Sequence, residues 1–145
     1  MKKVLLSTLI VISLISSAFA APGKKVGSIV KNAFESNFRN VQDVKWDESK
    51  DYYKASFVSN NVATEAFFDR KGDFIGSSHA ITLDQLPTGI KRSFAKKYGS
   101  FTVKEAIQFD AVEETAWFIS AENENQSVIL KIANGNIEVY KSSAK

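Results

Sequence analysis

The chain has 145 residues and a formal net charge of +3, and it contains one histidine and no cysteine. Two of the positive charges, Lys2 and Lys3, precede an apolar segment, so removal of residues 1–20 would leave a net charge of +1. This balance lacks the basic surface typical of nucleic-acid-binding proteins. The missing cysteines exclude disulfide bonds and thiol chemistry.

The first twenty residues predict a secretory signal peptide. Their apolar run ends at Ile15 and is shorter than the roughly 20 residues of a membrane-spanning helix, which argues against a membrane anchor. Ala18 and Ala20 are the small residues that a signal peptidase accepts, so we expect cleavage after Ala20. The remaining residues 21–145 are expected to form one domain, periplasmic or secreted, without stable membrane insertion.

The first half of this segment predicts a helix followed by extended segments. Ser28 can cap a helix whose apolar positions, Ile29, Val30, Ala33, Phe34 and Phe38, follow three-and-four spacing. An extended segment at 41–46 and strands at 52–58, 62–69 and 74–81 follow. Asn60-Asn61 and the turn at 69–73 are typical of tight hairpins.

The second half predicts the same order of elements. Thr82 or Asp84 can cap a helix, Pro87 is tolerated in its first turn, and Gly99 marks its end. Extended segments follow at 101–109, 115–122, 127–133 and 137–140. Coincidence is the alternative, but the shared order favours an internal duplication with half-repeats at about 28–81 and 82–141. The predicted class is α+β, with two tandem helix-plus-antiparallel-sheet repeats.

Several motifs also resemble a known family. Val44-Lys45-Trp46, the segment 67–75 with its Asp69-x-x-Gly72 turn, and the Leu83 to Pro87 helix start resemble the PepSY-like, beta-lactamase-inhibitor-like (BLIP-like) domains of exported bacterial proteins. The resemblance covers essentially the whole of residues 21–145. The second half departs from it, because Trp117 lies in a strand and the turn there is Asn134-Gly135. The resemblance implies one joined sheet surface with both helices on one face, and a binding role, which in some relatives is enzyme inhibition.

Catalytic and metal-binding patterns are weak, and we predict no catalytic residue, no metal and no cofactor. His79 is the only imidazole and is more readily interpreted as a sheet histidine than as a general base. Asp69 and Asp73 lack the ligand series of a calcium loop, which favours a plain hairpin, although ion binding there stays open. Glu113 and Glu114 are adjacent and would point apart on an extended chain.

The aromatic residues, 12% of the chain, indicate a binding surface. Strand alternation assigns one apolar set to the face under the helices, comprising Tyr53, Ala55, Phe57, Ala66, Phe68, Trp117, Ile119, Ala121, Val128, Leu130 and Ile132. The opposite, open face would present a mixed set, from which we predict the partner-binding residues Tyr52, Lys54, Glu65, Phe67, His79, Phe118, Ile129 and Lys131. Anchoring aromatics among charges suit protein recognition. The alternative is that cross-strand aromatic pairs only stabilise a solvated sheet.

We therefore expect an exported, non-enzymatic module that binds a protein or peptide on the open sheet face, with an inhibitor-like role included. The alternative is a structural or envelope-stress protein that acts by self-association or by binding a small ligand. The sequence leaves the partner and the oligomeric state open.

Overall fold

The computed structural model describes residues 26–145, so the expected signal peptide and cleavage site lie outside the described residues. Helix α1 is Ser28–Asn37 and helix α2 is Thr88–Tyr98, with a 3₁₀ turn at Leu83–Gln85 before α2. The strands are β1 Gln42–Glu48, β2 Tyr52–Ser59, β3 Val62–Asp69, β4 Phe74–Ala80, β5 Thr102–Ala111, β6 Thr115–Glu122, β7 Gln126–Ala133 and β8 Asn136–Ala144.

All eight strands form one antiparallel sheet in chain order, from β1 to β8. The central β4–β5 pair joins the strands of the two halves, although α2 intervenes between them in the sequence. Each half contains one helix followed by four strands. The predicted α+β class and the order of elements are confirmed, whereas an origin by duplication stays a prediction.

The two helices pack in the same way on one face of the sheet. Phe34 stacks on Phe38 in α1 with ring centroids 5.4 Å apart, and Phe94 stacks on Tyr98 in α2 at 5.8 Å. The strand residues beneath them include the predicted apolar set. Under α1 lie Ala55, Phe57, Ala66 and Phe68, and under α2 lie Ala106, Ile119, Ala121, Val128, Leu130 and Ile132. This face is the main core, and its prediction from strand alternation is confirmed.

The second helix begins later than predicted. Leu86 has an extended backbone, with φ −69° and ψ 148°, and the α-helix starts only at Thr88. A residue that precedes proline is disfavoured in the α region, so Pro87 separates the 3₁₀ turn from α2.

The predicted hairpins are present. Asn60 and Asn61 both have positive φ, as a two-residue turn of mirror-image type requires. In the β3–β4 turn, Oδ1 of Asp69 accepts hydrogen bonds from the amides of Lys71 at 2.8 Å and Asp73 at 2.9 Å. Gly72 has φ +95°, and a side chain there would meet Cγ2 of Ile29 at 2.7 Å. The Asp69 carboxylate is thus part of the turn itself.

Candidate binding surface on the helix-free face

The sheet side opposite the two helices, called the helix-free face below, has a core of its own. Phe67 is 0% exposed there, and the other buried members of this cluster are Ile107, Phe109, Ala116 and Phe118. Every member of the cluster among the described residues lies on a strand or beside one, and none lies in a helix. Side chains from neighbouring strands on the same face must therefore bury them.

Aromatic rings run across the helix-free face through both halves of the sheet. Tyr52 on β2 meets Phe67 on β3 edge-on at 5.8 Å, and Phe67 meets Phe109 on β5 at 5.9 Å. On the other side, Phe118 on β6 meets Tyr140 on β8 at 5.9 Å. Ring pairs at these separations stabilise the packing beyond burial alone. The two series of rings belong to one hydrophobic cluster that extends from β2 to β8, and together they are called the aromatic stripe below.

Gly76 on β4 makes this stripe possible. It lies directly opposite Phe67 on one neighbouring strand and Ala111 on the other. A Cβ at position 76 would lie 2.8 Å from the Phe109 ring and 2.7 Å from the carbonyl oxygen of Asp110. The missing side chain therefore leaves space for the Phe109 ring beside Phe67.

A charged group flanks the stripe on the first half. Nζ of Lys54 lies 3.1 Å from Oε1 of Glu65 and 3.5 Å from Oδ2 of Asp47. Burial alone would lower the pKa of Lys54, but the hydrogen bond and charge of Glu65, together with Asp47, raise it above the ordinary value. Lys54 therefore stays cationic beside two carboxylates.

The second half carries a more open charged group. Lys131 lies opposite Phe118 on one side and Glu138 on the other, and its Nζ is 3.9 Å from Oε1 of Glu114. Tyr140 is partly buried here, and this burial raises the pKa of its phenol. This half therefore presents Lys131 and the half-buried Tyr140 at the surface.

Seven of the eight predicted partner-binding residues lie on the helix-free face. Phe67 and Phe118 are 0% and 5% exposed and belong to its core. The five that contact solvent there are Tyr52, Lys54, Glu65, Ile129 and Lys131. The anchors that the sequence indicated are therefore only partly at the surface, and binding contacts would fall on these five.

The prediction that His79 lies on the open face of the sheet is wrong. His79 pairs with Thr64 and with Gln108, whose side chains lie on the helix side of the sheet. The cause is a bulge in β4, where the pairing shifts between Phe68 opposite Phe74 and Phe67 opposite Gly76. The extra residue, Ile75, inverts the alternation for the rest of the strand.

Sequence reasoning missed Phe109, Ile107 and Tyr140 on this face. In β5 both Ala106 on the helix side and Ile107 on the opposite side are buried. The alternation of apolar and polar residues that would distinguish the two faces is therefore missing. Tyr140 was detectable, because it alternates with the helix-side residues Ile137 and Val139 on β8. The small residues of β4 gave no signal by themselves.

Within residues 26–145 no three His, Asp or Glu side chains are grouped closely enough to hold a metal ion. Neither helix of this part of the chain has the length and apolar character needed to cross a membrane.

Comparison with known proteins gives structural neighbours only, since no family model and no curated protein matches the sequence. A DUF2874 family protein from Bacteroides uniformis matches with a TM-score of 0.73 and 17% identity, over 83% of this chain and 90% of that chain. A proposed periplasmic protein from Bacteroides eggerthii matches with a TM-score of 0.74 and 18% identity, over 83% of this chain and 90% of that chain. A BLIP-like protein from Bacteroides fragilis matches with a TM-score of 0.68 and 16% identity, over 88% of this chain and 89% of that chain.

At these identities the comparisons establish the fold. The chain has the fold of the BLIP-like protein, which confirms that part of the predicted resemblance at the level of architecture. The relation to PepSY domains stays a prediction.

Proposed function

We propose that this chain is an exported, non-enzymatic module that holds a protein or peptide on its helix-free face. The observation that carries the proposal is a sheet face without a helix over it, which carries an aromatic stripe between charged groups. Aromatic residues are enriched where proteins bind one another. Export is supported by the predicted signal peptide and by the structural likeness to a proposed periplasmic protein.

The arrangement of β4 supports a binding role over catalysis. Ser78 and His79 are adjacent on an extended strand, so the hydroxyl and the imidazole point to opposite sides of the sheet. They therefore do not form a serine–histidine nucleophile–base pair. An inhibitory role is supported only by the BLIP-like neighbour, and we include it within the proposed binding function.

The test uses solvent-contacting residues of the face, because truncation of Phe67 or Phe118 would damage the core. The variant combines Tyr52→Ser, Ile129→Ser and Lys131→Glu, which change the surface of both halves. The matched control is Ser93→Asp with Lys96→Glu on the exposed side of α2. Each protein is immobilised, incubated with envelope extract of its own organism, and compared by quantitative mass spectrometry.

We expect a partner that the wild type and the α2 control capture equally and that the face variant loses at least tenfold. The captured protein is then purified and its affinity for the three proteins is measured by calorimetry. Loss in the α2 control with retention in the face variant would contradict the proposal.

Light scattering on the free protein addresses the alternative of self-association. A stable dimer that the face variant converts to a monomer would replace the proposed partner by a second copy of the chain.

A further inference from the structure

A trough runs along β4 on the helix-free face. The residues of β4 that point to this side are small, namely Gly76, Ser78 and Ala80, whereas the adjacent strands carry longer side chains. At the Gly76 end, Phe67 and Phe109 fill the trough. At the other end it opens into a cleft of 240 Å³. Pockets for drug-sized ligands span about 300–1,000 Å³, so this cleft suits a single side chain.

Two carboxylates border the cleft. Glu65 lies on β3 directly opposite Ser78, and Glu105 lies on β5 two residues before Ile107. Burial, and then the negative charge of Glu65, raise the pKa of Glu105 above its ordinary value. The Glu65 charge therefore acts on Glu105 across the floor of the trough.

The negative charge around the cleft exceeds the positive charge. Within residues 26–145 the carboxylates of Asp47 and Glu65 share one ammonium group, that of Lys54, and Glu105 forms no ion pair. Only Oε1 of Glu65 accepts the Lys54 hydrogen bond. A cationic group in the cleft would balance this excess.

The floor of the cleft presents a hydroxyl that has no partner in the protein. Ser78 is 3% exposed, and its side chain forms no hydrogen bond within residues 26–145. No completely buried side-chain oxygen or nitrogen in this part of the chain lacks a partner, so the Ser78 hydroxyl must reach the cleft. A polar group that enters the cleft can therefore form a hydrogen bond with it.

We propose that the cleft receives an arginine or lysine side chain of the bound protein. Its cationic group lies between the Glu65 and Glu105 carboxylates and donates a hydrogen bond to the Ser78 hydroxyl, while its aliphatic stem contacts Ala80 and Ile107. This assignment rests on the proposed function, because a protein held on the helix-free face supplies the side chain. His79 borders the cleft from the helix side, with Thr64.

The test is an NMR titration of the ¹⁵N-labelled protein with three small probes. They are acetyl-Gly-Arg-Gly-amide, the same peptide with neutral citrulline in place of arginine, and putrescine. We expect the arginine peptide to shift the amide signals of Glu65, Ser78 and Glu105 in a saturable manner, with the citrulline peptide at least tenfold weaker. Putrescine should also bind more weakly, because it lacks a peptide backbone.

Glu105→Gln should weaken binding of the arginine peptide about tenfold, which corresponds to about 1.4 kcal/mol. Ser78→Ala should weaken it to a smaller extent. Glu138→Gln, an exposed glutamate on β8 of the same face, is the matched control and should bind like the wild type. Folding of each variant is checked from its own amide spectrum.

Equal shifts with the arginine and citrulline peptides, or wild-type affinity in Glu105→Gln, would overturn the assignment. Putrescine binding as tight as the arginine peptide would also overturn it, since the cleft would then take free amines. The titration does not need the natural partner. A failed titration with intact face-dependent capture therefore refutes only the cleft assignment, and a successful titration without capture refutes only the proposed function.

Discussion

Replacement of Phe67 by alanine tests whether the helix-free face is a true core. The Phe67 side chain is 0% exposed and contacts the rings of Tyr52 and Phe109. Truncation of a buried phenylalanine costs about 3–5 kcal/mol, from lost burial and the remaining cavity. Domains of this size have unfolding free energies of about 5–15 kcal/mol, so the variant should remain folded but marginal.

Urea denaturation followed by far-UV circular dichroism measures this loss. Phe68→Ala is the matched control, because Phe68 is also 0% exposed but lies under α1. We expect similar losses of unfolding free energy for both variants. Alanine in place of the half-buried Tyr52 should cause a smaller loss of about 1–2 kcal/mol.

A loss below about 1 kcal/mol for Phe67→Ala, beside a full loss for Phe68→Ala, would refute a core on the helix-free face. The Phe67 ring would then be exposed to solvent.

Three further substitutions test the turn, the central strand and the cleft. Gly76→Val should lower the unfolding free energy by about 1–3 kcal/mol, because its Cβ would meet Phe109 and the Asp110 carbonyl, whereas Gly89→Ala in open space should not. Asp69→Ala removes the acceptor of two backbone amides and should lower the unfolding free energy by about 1–2 kcal/mol. An unchanged unfolding free energy would mean that other groups hold the turn. The pKa of Glu105 in the folded state is raised above the ordinary value of 4.5. The folded protein therefore loses stability as the pH rises from 4.5 through the folded-state pKa. Glu105→Gln should therefore increase thermal stability slightly at pH 7 and not below pH 4, and an unchanged difference across this range would contradict the pKa direction.

The helix side of the fold was predictable because it has a simple pattern. Phe57 and Phe68 alternate with polar residues, and Phe34 and Phe94 recur at helical spacing, so the buried face follows from the period of each element. Each of these signals is local in the sequence.

The helix-free face was less predictable, since burial there depends on side chains that several distant strands bring together. Alternation placed Phe67 and Phe118 on this face but gave no indication that neighbouring strands would bury them. The error for His79 came from one extra residue in β4, which no hydrophobic pattern marks. The cleft was invisible for a similar reason, because Ser78 and Glu105 lie on strands whose pairing depends on that bulge.

Hydroxyl-radical footprinting of the complex with the captured partner tests the central claim most directly, because it measures the exposure of individual side chains. If the partner occupies the helix-free face, oxidation of Tyr52 and Tyr140 should decrease at least threefold on binding. Oxidation of Trp46 and Tyr98, which pack on the helix side, should stay unchanged. Protection of Trp46 and Tyr98 with Tyr52 and Tyr140 unaffected would place the partner on the helices and contradict the account.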